Sequence, residues 1–109
     1  MSRTDYESGE QAVAESRTRL KKPPLFTVLL HNDDFTTMEF VVHVLVNVFG
    51  RREADAVRVM LQVHTEGAGA AGTYTYEVAE TKAAQAMELA REREYPLLCT
   101  VEPETGGVG

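Results

Sequence analysis

The stretch that decides the fold is LFTVLLHNDDFTTMEF, residues 25 to 40. Its first six residues, Leu25 to Leu30, are almost continuously apolar and rich in β-formers, which is typical of a well-covered strand. The run Asn32-Asp33-Asp34 then signals a turn, and Thr36 with Glu39 three residues later matches a capping box, the pattern that starts a helix. The stretch therefore predicts a strand that carries an amide and two carboxylates directly to the start of a helix.

The helix predicted to begin at Thr36 extends to about Phe49 and ends at Gly50 in the usual left-handed manner. A second helix is predicted from about Arg52. Spacings of three, four and seven place four of its residues on one face, namely Val57, Met60, Leu61 and His64. This region therefore predicts two consecutive amphipathic helices.

Beyond the second helix, the pattern predicts a flexible connection, a strand, a helix and a last strand. The connection is the small-residue segment 67–72, and the strictly alternating segment 73–78 is a half-exposed strand. Residues 83–93 form the third helix, with Ala83, Ala86, Met87 and Ala90 facing inward, and residues 97–101 form the last strand. The order β-α-α-β-α-β indicates an α/β (α+β) domain in which three helices cover a three-stranded sheet.

Length and composition limit the number of domains and the expected cellular location. A chain of 109 residues with 43% hydrophobic residues can form one modest core. We expect residues 1–22 to be a flexible N-terminal extension, residues 23–104 the core domain and residues 105–109 a flexible tail. The single cysteine, Cys99, can form no internal disulfide, and no window is apolar enough to span a membrane, which together predict a cytoplasmic protein without a membrane partner.

The distribution of charge argues against nucleic acid as a partner. The net charge is −6, and residues 23–109 carry six basic against thirteen acidic residues. Such an acidic surface repels a phosphate backbone. No nucleic-acid binding is therefore predicted.

Few residues suit catalysis. The serines Ser2, Ser8 and Ser16 all lie in the predicted extension, and Cys99 lies inside an apolar strand, where an inert thiol is expected. Asp33, Asp34 and His64 could act together in a small metal-assisted hydrolase, but no His-x-x-x-His or cysteine pair fixes two metal ligands at once. We therefore predict neither a metal nor a cofactor, with this hydrolase and a pocketless protein-interaction domain as the alternative functions.

Structural explanations also exist for the residues that stand out. Asn32-Asp33-Asp34 could simply cap a helix or form an Asx turn. His64 could be a core histidine at a helix end, and Met60 could fill a core. Taken one at a time, these residues leave both readings open.

Taken together, four segments of the chain resemble the ClpS family, the adaptors of bacterial ATP-dependent Clp proteases. The segments are NDDFTTMEFV at 32–41, MLQVH at 60–64, EVAETK at 77–82 and PLLCT at 96–100. They occur in the family's order, and the match as a whole spans roughly residues 23–104. Thr37 and Phe35 depart from the proline and tyrosine of many relatives. The resemblance implies an antiparallel sheet and a non-enzymatic adaptor that recognises N-degrons, the destabilising N-terminal residues Phe, Tyr, Trp and Leu.

The resemblance also implies roles for individual residues. Asn32, Asp33 and His64, with Asp34 alongside, would contact the α-amino group of the substrate. The first side chain would enter a hydrophobic pocket, in which Met38 would disfavour β-branched residues; its walls would be Thr36, Met38, Val41, Met60, Val63 and Leu97. Glu77 and Lys82 would contact the N-terminal domain of a ClpA-like AAA+ unfoldase, and the N-terminal extension would assist delivery.

The chemistry of an N-terminus agrees with these implied roles. An α-amino group has a pKa of about 7.7–8.0, so at neutral pH it is mostly an ammonium with three hydrogen-bond donors. An amide oxygen, a carboxylate and a neutral imidazole nitrogen can accept them, whereas an internal residue offers one neutral N–H. A site of this composition would distinguish the start of a chain from its middle.

Overall fold

The computed structural model of the protein describes residues 23–104, so the predictions for residues 1–22 and 105–109 lie outside the described residues. The predicted order of three strands and three helices is confirmed. The elements are β1 (Leu25–His31), α1 (Met38–Asn47), α2 (Glu53–Glu66), β2 (Ala68–Thr75), α3 (Tyr76–Glu92) and β3 (Leu98–Pro103).

Strand β1 is the centre of the sheet. It pairs antiparallel with β2 on one side and with β3 on the other, giving the order β2-β1-β3. Val28 and Leu30 on one face of β1 are fully buried, which explains why the segment is so apolar. Because β1 is central, the loop that follows it starts from the most firmly held part of the sheet.

Helix α1 begins one residue later than the predicted capping box, so the assignment of Thr36 as its cap is wrong. Thr37 is the N-cap, and its Oγ1 accepts a hydrogen bond of 3.1 Å from the Phe40 amide. Thr36 is unavailable because its amide and hydroxyl both donate to Asp33. The helix ends at Asn47, before the predicted Phe49, and Gly50 with φ of 68° allows the chain to turn after it.

The segment rich in glycine and alanine is a strand, and the prediction of a flexible connection there is wrong. Small residues are required because α2 packs closely against β2: a Cβ added at Gly69 would lie 2.9 Å from Val63 Cγ2 and 3.2 Å from the Val59 carbonyl oxygen. The predicted strand 73–78 is correct only as far as Thr75, because α3 starts at Tyr76 rather than at Ala83. Low side-chain volume here reflects close packing and not chain flexibility.

Strand β2 contains a bulge that Arg51 covers. The pairing shifts between Val28 and Leu29, so that Ala71 is the extra residue on β2. Arg51 Nε donates to the Ala71 carbonyl over 2.8 Å and Nη2 donates to the Ala70 carbonyl over 3.2 Å, while Nη1 pairs with Asp55. Arg51 therefore satisfies two strand carbonyls and joins them to the first turn of α2.

The buried face of α2 is not the face that Val57, Met60, Leu61 and His64 share. Ala56, Val59 and Val63 are buried in the core, whereas Val57 and Leu61 are exposed and Met60 is half-buried. The face through Val57, Met60, Leu61 and His64 therefore points away from the core. The inward face predicted for α3 is confirmed, since Ala83, Ala86 and Ala90 are buried and Met87 packs against the core.

Cys99 lies in β3 within the core, as predicted for an inert thiol. Burial raises the pKa of this thiol to about 12, which keeps it protonated at neutral pH. Among residues 23–104, no helix is long and apolar enough to cross a membrane.

Candidate functional site

The predicted site residues surround a cleft of about 350 Å³ between the loop after β1 and the helices α1 and α2. Its lining combines amide, carboxylate and imidazole groups with apolar side chains. The lining residues are Asn32, Asp33, Asp34, Phe35, Thr36, Thr37, Met38, Val41, Met60, Val63 and His64. The volume falls at the lower end of the range of small-ligand sites, about 300–1,000 Å³.

The loop at the polar end of the cleft is built around Asp33. The amides of Phe35 and Thr36 both donate to its Oδ1 over 2.7 Å, and the Thr36 hydroxyl donates to its Oδ2 over 2.7 Å. Burial of the carboxyl group opposes ionisation, but these hydrogen bonds outweigh it and lower the pKa of Asp33. Asp33 thus forms the Asx turn that the sequence left open, and it holds a negative charge in the cleft.

A second contact fixes this loop against the end of α2. The backbone amide of Asn32 donates to the Gly67 carbonyl over 2.9 Å. Gly67, with φ of 94°, is the left-handed cap of α2. His64 lies in the last turn of the same helix. Residues that are 32 positions apart in the chain are therefore brought to one end of the cleft by the packing of the loop on the helix cap.

The other end of the cleft is apolar. Met38 and Val41 contribute from the first turn of α1, and Met60 and Val63 contribute from α2. Val41 and Val63 are buried beneath, whereas Met38 is 42% exposed and can move at the mouth. An apolar side chain that entered here would replace water against four hydrophobic residues.

Nine of the ten predicted binding residues line this cleft, and Leu97 does not. Leu97 is 5% exposed and belongs to the core cluster. The prediction missed Phe35 and Thr37, which also line the cleft. Phe35 is 74% exposed, and the signal available in the sequence was a large apolar residue within a turn.

The structural explanation fails for His64 and holds only in part for Met60. His64 is exposed and not part of the core. Met60 packs against the core but also lines the cleft. Both side chains are therefore accessible to a ligand.

The polar side chains of the cleft differ in how many hydrogen bonds they already make within the protein. A carboxylate has about four acceptor positions, and Asp33 fills three of them with hydrogen bonds from its own loop. The side chains of Asn32, Asp34 and His64 have no hydrogen-bond partner among residues 23–104. The cleft can therefore offer several unused acceptors to a cationic group that has an apolar side chain beside it.

A metal centre finds no support in the geometry. Within residues 23–104 there is no group of three or more His, Cys, Asp or Glu side chains that could hold a metal ion. The side chains of Asp33 and Asp34, adjacent in the chain, have different environments, because only Asp33 is bound into the turn.

Glu77 and Lys82 lie elsewhere, on the first turns of α3. They line a shallow depression of about 300 Å³ together with Val78, Thr81 and Gln85. Glu77 is exposed, but Lys82 is partly buried: its Nζ donates to the Val48 carbonyl over 3.0 Å and lies 5.5 Å from the centre of the Tyr74 ring. Lys82 therefore satisfies the C-terminal end of α1 as well as lining this depression.

Known proteins that are similar to this chain belong to one family of protease adaptors. A family model described as the ATP-dependent Clp protease adaptor protein ClpS matches residues 21–100. The chain is 52% identical over 101 residues to an ATP-dependent Clp protease adapter protein ClpS of Maricaulis maris, covering 93% of each chain. It is also 52% identical over 103 residues to the protein of the same name from Myxococcus xanthus, covering 93% of this chain and 96% of that one.

A solved structure shares the fold. It is that of Agrobacterium tumefaciens ClpS2 bound to L-phenylalaninamide, with a TM-score of 0.73 and 42% sequence identity. The similarity covers 76% of this chain and all of that chain.

Proposed function

Because this chain belongs to the ClpS family of adaptors for the ATP-dependent Clp protease, we propose that its cleft binds the free N-terminal residue of substrate proteins. The protein is an adaptor and not itself a catalytic enzyme, and nothing supports the alternative of a metal-assisted hydrolase at Asp33, Asp34 and His64. The observation that carries the proposal is the presence of unused acceptors beside apolar walls in one cleft.

The amine end of the ligand would lie against the loop and the end of α2. The side chains of Asn32, Asp34 and His64 have acceptors to spare, and Asp33 retains one acceptor position and a fixed negative charge. An ammonium group has three donors, which these groups can satisfy. A chain interior offers a single amide donor and no charge, so it would leave most of the acceptors unpaired.

The first side chain would enter the apolar end. Burial of a Leu or Phe side chain contributes about 1.5–3 kcal/mol, which corresponds to roughly a ten- to 150-fold gain over an N-terminal Ala or Gly. Phe, Tyr, Trp and Leu are therefore the proposed N-degrons. The phenylalaninamide in the related ClpS2 structure has this chemistry, an α-amine beside an aromatic side chain.

Met38 at the mouth would select against β-branched residues, and the buried Leu97 would form the floor of the pocket, beneath the residues that line it. Val or Ile would place a methyl branch where the first carbon of the side chain passes Met38. Strong binding of a Val-starting peptide would contradict this part of the proposal.

Labelled peptides test the binding function directly. Phe- and Leu-starting peptides should bind, Ala-starting peptides should bind weakly, and N-acetylated Phe peptides should not bind, all measured by fluorescence anisotropy. Equal binding of acetylated and free peptides would refute recognition of the amine. The failure of every peptide to bind would favour the alternative of a pocketless interaction domain.

The pH profile tests the charge state of the ligand. Because an α-amine loses its proton around pH 7.7–8.0, the affinity should fall as the pH rises through about 8. A flat affinity profile from pH 7 to 9.5 would refute the ammonium mechanism.

The partner is proposed to be the N-terminal domain of a ClpA-like AAA+ unfoldase, docked on the α3 face that contains Glu77 and Lys82. The exposed Glu77 carboxylate and the apolar Val78, which is 44% exposed, offer a charge and a contact surface on adjacent positions. Calorimetry with the isolated N-terminal domain of an unfoldase should show binding that is lost in Glu77→Arg. The bacterial cytoplasm is the proposed location of this complex.

A further inference from the structure

A second groove adjoins the proposed N-terminal cleft. It has a volume of about 510 Å³ and lies between α1 and α2. Met38 and Met60 line both the cleft and the groove, so these two side chains form a ridge between them. A peptide held in the cleft needs to cross only this ridge to reach the groove.

The lining of the groove combines apolar walls with two carboxylates. Val42 and Val57 extend the apolar surface of the methionines, and Glu39 and Glu53 stand at the first turns of the two helices. Both glutamates are exposed and pair with no cation among residues 23–104. His43 also lines the groove. Its Nδ1 lies 3.1 Å from the side-chain Nδ2 of Asn47, and its ring stacks on Phe40.

This lining suits one kind of side chain. Lysine and arginine have an aliphatic stem that packs on apolar surface and a charged head that remains in water. The stem would contact Val57 and the methionine ridge, while the head would lie near Glu39 and Glu53. An aspartate or glutamate would instead meet two like charges.

The direction of the bound chain also favours this groove. Since the amine and the first side chain would occupy the two ends of the cleft, the rest of the chain must leave through its mouth, where the exposed Met38 stands. An extended chain advances about 3.3 Å per residue, so the second and third residues stay within about 7 Å of the first. These two positions are therefore the ones that can place a side chain across the ridge.

We propose that the Met38–Met60 ridge divides a cleft for the first residue from a groove that takes a lysine or arginine at the second or third position of the same substrate. This inference rests on the proposed function and extends it to residues beyond the first. The groove thereby adds a preference for basic residues near the N-terminus.

Peptides that share an N-terminal Phe test the proposal. Arginine, lysine, norleucine, alanine or glutamate is placed at position 2, 3 or 6, and affinity is measured by fluorescence anisotropy. Arginine or lysine at position 2 or 3 should bind about two- to fivefold tighter than alanine, as expected for exposed ion pairs. Norleucine should retain part of the gain through its stem, glutamate should bind more weakly than alanine, and position 6 should have no effect.

Variants locate the effect in the groove. In Glu39→Gln/Glu53→Gln the gain from arginine should disappear while the affinity of the alanine peptide stays unchanged. Glu92→Gln, which removes an exposed carboxylate at the end of α3, is the matched control and should keep the gain. An equal loss in the control would overturn the proposal, because it would indicate the general field of an acidic protein.

The remaining outcomes separate this inference from the proposed function. If Phe peptides bind but arginine at positions 2 and 3 has no effect, the groove proposal fails and N-terminal recognition stands. If no Phe peptide binds, the proposed function itself fails. If sedimentation shows a dimer that Val57→Asp dissociates, a second copy of the chain covers the groove and the proposal is overturned.

Discussion

The cleft and the depression on α3 differ in which of their polar side chains also hold the fold together. In the cleft, Asp33 is bound into its loop by three hydrogen bonds, whereas Asn32, Asp34 and His64 have no described partner. On α3, the cation Lys82 is bound to the end of α1, and Glu77 is free in solvent. Each region therefore contains one residue whose substitution would disturb structure and recognition together, and others that report on recognition alone.

Substitution of Leu97 should have the largest effect on stability, and it also tests whether this buried residue contributes to the cleft. Leu97→Ala should lower the free energy of unfolding by about 2–5 kcal/mol, because it leaves a cavity in the core. Urea unfolding measures this loss, with the milder Leu97→Val in case the alanine variant does not fold. Because Leu97 is proposed as the floor of the cleft, the affinity ranking of Phe, Leu and Trp peptides should shift towards Trp; an unchanged ranking would remove Leu97 from the site.

Asn32→Ala and His64→Ala should separate recognition from stability most clearly. Each removes a hydrogen bond to a charged ligand group, which is worth about 1.5–3 kcal/mol and corresponds to a roughly ten- to 150-fold loss of affinity for a Phe peptide. Because both side chains are exposed, the free energy of unfolding should change by less than about 0.5 kcal/mol. Asn47→Ala, an exposed amide outside the cleft, is the control, and unchanged affinity in His64→Ala would remove this residue from the amine site.

Asp33→Asn should affect both properties at once. Loss of the charged acceptor should lower the free energy of unfolding by about 0.5–1.5 kcal/mol at pH 7 and also weaken peptide binding. The pKa of Asp33 is lower in the folded protein than the ordinary value of 3.8, so its stabilising contribution is present above that pH. That contribution is lost as the pH falls below 3.8 through the folded pKa.

Denaturant unfolding from pH 6 down to pH 2 checks the linkage. The difference in stability between the wild-type protein and Asp33→Asn should shrink as the pH falls through that range. Asp34→Asn is the matched control, since Asp34 is exposed and has no described hydrogen bond, and its stability should follow the wild-type curve. A pH-independent difference for Asp33→Asn would show that the charge of the turn is not what stabilises the loop.

The smallest expected effects distinguish the two residues on α3. Lys82→Met should lower the free energy of unfolding by about 0.5–1.5 kcal/mol, because it leaves the Val48 carbonyl without its donor. Glu77→Gln should change it by less than about 0.5 kcal/mol. Both should weaken docking to an unfoldase N-terminal domain in calorimetry, and normal docking of Lys82→Met would assign this lysine a structural role only.

Much of the fold was predictable because its elements have strong local signals. The apolar run of β1 and the alanines of α3, spaced three and four residues apart, identify a buried strand and a helix face without any tertiary information. The prediction for residues 67–72 is wrong because small residues have the same local signature whether they bend a loop or let a helix pack closely. Only the position of Val59 and Val63 against Gly69 distinguishes the two cases.

The residues of the site could be predicted only from the resemblance to a family, and not from local patterns. The resemblance to a family brought together residues from the loop and α2 that no local pattern connects, and nine of the ten line one cleft. The start of α1 could not be derived, because Thr36 and Thr37 are both suitable caps and the choice depends on which of them Asp33 binds. The outward face of α2 was likewise hidden, since Val57 and Leu61 look like core residues in a sequence.

Arg51 covers part of an exposed sheet edge, which matters for a protein whose proposed function brings it into contact with unfolded chains. Strand β2 is an edge strand, and a free edge invites extended polypeptides to add to the sheet. The bulge at Ala71 interrupts the regular ladder, and Arg51 already occupies the carbonyls of Ala70 and Ala71. On the opposite edge, β3 ends in Pro103, which has no amide hydrogen to donate. The sheet is thus protected from capturing the polypeptides that the adaptor hands on, and substrates can be held by their first residues and then released.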